Sequence, residues 1–148
     1  MNPIFILLAF IIGMANTTQA GINSQLRLAI GNPILAAIIS FSGGLTVLVL
    51  VFTFFNTYPI PSADSLRQVP WWKFVGGAFG SFYVLSVIFI VRELGPANML
   101  ALIVAGQLIA ALLVDHYGWL GFSIHSISPA RILGVGFLVV GVYLILKN

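Results

Sequence analysis

The chain has 148 residues, of which 60% are hydrophobic and 6% charged, whereas soluble domains carry about 25% charged residues. Such a surface could not be wetted, so a water-soluble globular protein is excluded and the solvent is lipid. The formal charge of +3 rests on six basic and three acidic residues, too few for a face that holds nucleic acid. With no cysteine, disulfides, thiolate nucleophiles and thiolate metal sites are excluded as well.

The first apolar run extends from Pro3 to about Leu26. Met1-Asn2-Pro3 lacks the basic residue of a secretion signal, and the apolar run passes directly into the polar Asn16-Thr17-Thr18-Gln19. It is therefore read as a retained first membrane helix. Four more runs follow, Pro33 to Phe55, Trp71 to Val91, Pro96 to about Tyr117, and Ala130 to Leu146. Each is close to the roughly 20 residues that cross a hydrocarbon core. Pro33 and Pro96 stand at helix starts, where a missing N–H is not missed. Tight turns are expected around Gly31-Asn32 and Gly95, a short link at Gly121 to Ser128, and the one substantial loop at Asn56 to Pro70. The expected fold is all-α, a single transmembrane domain of five helices over residues 1–148.

Five spans put the termini on opposite sides. Arg67, Lys73 and Arg131 then fall on the N-terminal side, and Arg27, Arg92 and Lys147 on the other, dividing the six basic residues equally. Orientation normally follows an excess of Lys and Arg on the cytoplasmic side, and here there is none. Chance balance in a small protein, or a partner that fixes the orientation, would account for this. The sharper expectation is a chain that inserts both ways and pairs with an inverted copy of itself, giving ten helices. Many secondary transporters are built from inverted repeats around a mid-membrane site.

Polar side chains in hydrocarbon are costly and usually face a bundle interior. Asn16, Gln19, Asn23 and Arg27 follow at steps of three, four and four, which places them on one stripe of the first helix. The stripe reads as a water-lined pathway or as an interhelical hydrogen-bond seam, with Arg27 reaching for the headgroups. Gln107 is the strongly polar residue at the centre of the fourth helix, and Ala111 and Asp115 share its face. The second helix adds Ser40, Ser42 and Gly43-Gly44 at similar depth, and the third adds Gly76-Gly77, Gly80, Ser81 and Tyr83. The fifth carries only Gly134, Gly136 and Gly141 near its centre and is expected at the periphery or a dimer contact. Gly76 with Gly80, and Ala97, Ala101 and Ala105, read as close-packing faces. Trp71, Trp72 and Trp119 read as interfacial anchors.

Enzymatic readings fare badly. His116, His125 and Asp115 could in principle hold zinc, but their spacing fits no usual helical metal pattern, so no metal or cofactor is expected. No mid-membrane serine has a titratable neighbour to act as its base, and phosphate-cradling glycine motifs are absent. Glu93 beside Arg92 reads as an interfacial charge. Asp115 is the better candidate for a coupling group, and Arg27 the strongest fixed positive charge available to a cavity. That charge favours neutral or anionic cargo over organic cations.

Several segments in order carry a resemblance. These are Gln19 to Arg27, Asn32-Pro33, Ser40-Phe41-Ser42-Gly43-Gly44, Trp71-Trp72-Lys73 with Gly76-Gly77 and Gly80, Gly106-Gln107, Asp115-His116 with Gly118-Trp119 and Gly121, and Arg131 with Gly134. Together they resemble the YdcZ-type family of small bacterial inner-membrane proteins, a five-helix branch of the drug/metabolite transporter superfamily. The branch is related to the EamA-type exporters and the small multidrug resistance proteins. The resemblance implies a multi-pass inner-membrane location and a secondary-transporter fold made of inverted five-helix halves. The halves occur as single chains, paired genes or fused ten-helix chains. The sequence departs from the small multidrug resistance pattern of four helices with an essential glutamate in the first. Asn16, Thr17 and Gln19 stand in the first helix instead, so proton/cation antiport by that mechanism is not carried over.

The expected function is export of a small metabolite or drug-like molecule by alternating access in an inverted homodimer, or in a pair with a homologous chain. The expected lining is Asn16, Gln19, Asn23, Arg27, Ser42, Tyr83 and Gln107, with Asp115 as coupling candidate. The partners are the second copy, the small molecule and membrane lipid, not nucleic acid. The alternatives are a non-transporting accessory subunit and a passive channel.

Overall fold

A computed structural model describes residues 2–147, and among them it contains helices and turns but no strand. Five helices are long and apolar enough to cross a membrane. Packing groups the chain into two compact units, the first reaching to Arg92 and the second starting at Glu93.

In the first unit, α1 runs Pro3–Ile30 and α2 runs Pro33–Phe55. Both begin with proline after an asparagine cap. Asn2 accepts from the Ile4 N–H, and Asn32 accepts from the Ile34 and Leu35 N–H groups, each at 3.0 Å. These caps satisfy donors that lipid could not. The first helix extends to Ile30, beyond the expected Leu26. The apolar run ends near the charge of Arg27, but the helix continues until Gly31 adopts a left-handed conformation at φ 71° and its N–H closes on the Arg27 carbonyl.

The expected loop after α2 is not wholly irregular. Ser62 caps a short helix, α3, at Ala63–Arg67. A 3-10 turn over Trp71–Phe74 then leads into α4 at Gly76–Leu94, so the third span opens with a tighter turn and ends beyond the expected Val91. The core of this unit joins Ala36, Ala37, Val84 and Ile88, with Leu26, Tyr83 and Leu85 packed against it. The two alanines leave room for Ile88, which has no exposed surface. At Gly80 an added Cβ would sit 3.8 Å from the Phe41 ring, ordinary contact that leaves little space for a larger group. Hydroxyls along the spans turn back onto their own helices, Thr17 to Gly13, Thr46 to Ser42 and Ser81 to Gly77, so they need no partner from outside.

The second unit is a helical hairpin, α5 at Pro96–Tyr117 against α6 at Pro129–Lys147. Gly118 ends α5 in the left-handed region at φ 64°, and a Cβ there would lie 2.7 Å from Ile124 Cγ1. Gly118→Ala is therefore expected to destabilise this turn by about 1–2 kcal/mol, read as a lower midpoint of thermal unfolding in detergent. Beyond a 3-10 turn at Trp119–Gly121, the link returns across the end of α5, where the His125 N–H donates to the Asp115 carbonyl at 2.8 Å.

Candidate functional site

The polar stripe of α1 is engaged at its two ends. Asn16 Nδ2 donates to the Tyr83 hydroxyl of α4 at 2.7 Å. About three turns along, Arg27 Nη1 donates to the Ile88 carbonyl at 2.9 Å, and its guanidinium lies 5.1 Å from the centroid of the Phe89 ring. Between them, Ala20, Asn23 and Ser24 are buried. Asn23 is 4% exposed and makes no side-chain hydrogen bond among the described residues. Among the described residues no fully buried side-chain N or O lacks a partner, so the Asn23 amide keeps a small opening to the surface.

Gln19 turns to a different neighbour. It lines an open groove of about 560 Å³ with Ser40, Phe41, Ser42, Leu45 and Leu48 of α2. The structure thus brings Asn16 to Tyr83, and Gln19 to Ser42. Ser40 joins the same groove. Its signal in the sequence was its depth beside Ser42, which did not settle which helix face it occupied.

The remaining two candidates belong to the second unit. Gln107 is exposed on α5 and makes no side-chain hydrogen bond among the described residues. Asp115 Oδ2 receives Arg131 Nη1 at 3.2 Å, with both side chains a little over one-third exposed. The same Nη1 reaches the His125 carbonyl at 3.4 Å. Sequence reasoning assigned Arg131 no such role. The available signal was the hairpin itself, which places the end of α5 beside the start of α6. The histidines are occupied locally: His116 Nδ1 accepts from the Ile127 N–H at 3.4 Å, and His125 Nδ1 lies 2.9 Å from the Ser123 carbonyl. Among the described residues, no group of three or more His, Cys, Asp or Glu could hold a metal.

Chemically, this arrangement offers hydrogen bonds, one cation on α1 and apolar surface, which suits holding a molecule rather than transforming it. The fold defines a multi-pass membrane protein with polar groups borne on its spans. The chain belongs to the family described as "Putative inner membrane exporter, YdcZ", which matches residues 4–144. That description is of an exporter family rather than an enzyme family. The chain is also 32% identical over 85 residues to the inner membrane protein YdcZ of Escherichia coli (strain K12), an alignment covering 57% of this chain. It spans 56% of that relative's length. No solved structure matches the chain.

Proposed function

We propose that this multi-pass inner-membrane protein exports a small metabolite or drug-like molecule by alternating access, as an inverted homodimer of two five-helix halves. The observation that carries the reading is the α1–α2 groove, where Gln19 and Ser42 stand among apolar side chains around about 560 Å³. Small-molecule sites usually have this size and this mixture of apolar lining with a few polar groups. Asn16, Asn23, Arg27 and Tyr83 supply further polar groups on α1 and α4, and Gln107 is the lining position proposed on α5. Asp115 remains the coupling candidate, on the condition that its pair with Arg131 parts during the cycle.

The inverted pairing is supported by the equal division of basic residues and by the odd number of spans. The open faces of the helices also support it. In four of the five spans the most apolar window is 6% buried, and in the third it is 22% buried. Faces so open need lipid or another chain against them.

The lack of cysteine makes the test clean. A single cysteine is added after Asn148, and intact cells are treated with a membrane-impermeant maleimide, with lysed cells as the total. About half of the chains are expected to be labelled if both orientations are populated. Labelling of all or none would mean one fixed orientation, and the inverted homodimer would be discarded.

A further inference from the structure

The second unit carries a groove of its own, separate from the α1–α2 groove. Leu108, Ala111, Leu112, Gly134 and Val135 form an apolar groove of about 390 Å³ on the α5–α6 hairpin, and Asp115 and Arg131 close one end of it. Every polar side chain in that lining is therefore at one end. Asp115 is two residues from the end of α5. Beyond it, the stacked rings of Tyr117 and Trp119, 5.1 Å apart, are of the kind that sits at headgroup level.

The ion pair has unused capacity. Arginine presents donors on three nitrogens, and both Arg131 side-chain contacts run from Nη1 alone. Among the described residues its Nη2 and Nε donors make none, and Asp115 is engaged through Oδ2 and not Oδ1. Guanidinium binds phosphate oxygens in a bidentate fork, and a free carboxylate oxygen accepts from a primary ammonium. A ligand offering both would complete an alternating set of four charges, with its apolar part in the groove below. We propose that this groove binds a zwitterionic phospholipid of the ethanolamine type, its phosphate on Arg131, its ammonium on Asp115 and an acyl chain along α5 and α6. The charge complementarity selects among lipids. An anionic glycerol headgroup would satisfy Arg131 and be repelled by Asp115, and a choline headgroup has no N–H to donate.

The test is native mass spectrometry of the full chain in mild detergent. Phosphatidylethanolamine, phosphatidylglycerol and phosphatidylcholine with matched acyl chains are supplied in equal amounts. One phosphatidylethanolamine per chain is expected, preferred over each of the others by at least about threefold, as a partly exposed charge pair can supply. Arg131→Gln and Asp115→Asn should each flatten that preference. Because either variant could unsettle the hairpin, Gly134→Leu provides a second route. A Cβ at Gly134 meets nothing within 4 Å, so leucine keeps the ion pair and fills the groove, and retention of the lipid should fall. Equal retention of the three lipids, an unchanged preference in both charge variants, or unchanged retention in Gly134→Leu would overturn the proposal. So would competition by tail-less phosphoethanolamine, which would make the site one for a free headgroup. Efficient cross-linking of Gly134→Cys between two copies would assign the groove to a second chain instead.

Discussion

Replacing Asn16 by leucine is expected to lower transport by at least about tenfold, the worth of one well-placed hydrogen bond in a site, while the assembled protein remains intact. Leucine is close to asparagine in size, so the change removes a carboxamide rather than packing. What is lost inside the protein is the 2.7 Å bond to the Tyr83 hydroxyl. Side-chain hydrogen bonds between membrane helices contribute on the order of 0.6 kcal/mol, too little for its loss to unfold five spans. Assembly measured by size-exclusion chromatography should therefore be unchanged.

Tyr83→Phe separates the Asn16 carboxamide from the bond it makes to α4. It breaks the same hydrogen bond but leaves the Asn16 carboxamide in place to meet a transported molecule. If Asn16 served only to hold α1 against α4, the two variants would be equally mild. If it contacts cargo, Asn16→Leu is the more damaging by a wide margin. The readout is accumulation in inverted vesicles of a neutral amphiphile that the wild-type protein concentrates. Gln107→Leu on α5 is expected to show the same loss, and full activity in both Asn16→Leu and Gln107→Leu would remove the mid-membrane site altogether.

The contrast between Asn16 and α3 explains what a single sequence reveals in such a chain. Lipid makes backbone satisfaction obligatory, so helix limits coincide with residues that cap or end a ladder. Asn32 before Pro33, Gly95 before Pro96 and Gly118 after Tyr117 all mark real ends. Where the run of apolar residues was used instead, the limit was misplaced, as at Leu26, because hydropathy reports the medium and not the backbone. The short α3 lies in the polar loop, where neither signal operates and the Ser62 cap decides. Depth was legible too, since Asn16 and Tyr83 lie 67 positions apart yet were both assigned to mid-span. Their pairing was not legible, because it depends on how α1 and α4 are rotated, and a periodicity on one helix says nothing about its neighbour's rotation. The Asp115–Arg131 pair was hidden for a different reason. Asp115 closes the fourth span and Arg131 opens the fifth, but the α5–α6 link had to fold back before they could meet.

Arg27 should set the charge preference of the cargo, and this gives the second large effect. No Asp or Glu lies on α1 or α2, so the guanidinium is uncompensated by any carboxylate on the elements that form the groove. Its bond to the Ile88 carbonyl and its place over Phe89 hold it in position. A cation brought within roughly 6 Å at an effective permittivity of 20 meets a repulsion of about 3 kcal/mol, and water in the groove reduces this. Wild-type protein is therefore expected to favour a neutral amphiphile over a permanent organic cation of similar size. Arg27→Gln should raise relative cation flux by about tenfold or more, within what that repulsion allows. Arg27→Lys should keep the discrimination, since the charge remains. It should nonetheless cost about 1 kcal/mol of stability through the displaced hydrogen bond to the Ile88 carbonyl and weaker stacking on Phe89. Flux ratio follows the charge and unfolding midpoint follows the geometry, so the two substitutions separate the two roles. If Arg27→Gln leaves the flux ratio unchanged, Arg27 acts only as a clasp between α1 and α4, and the charge of the cargo is read elsewhere.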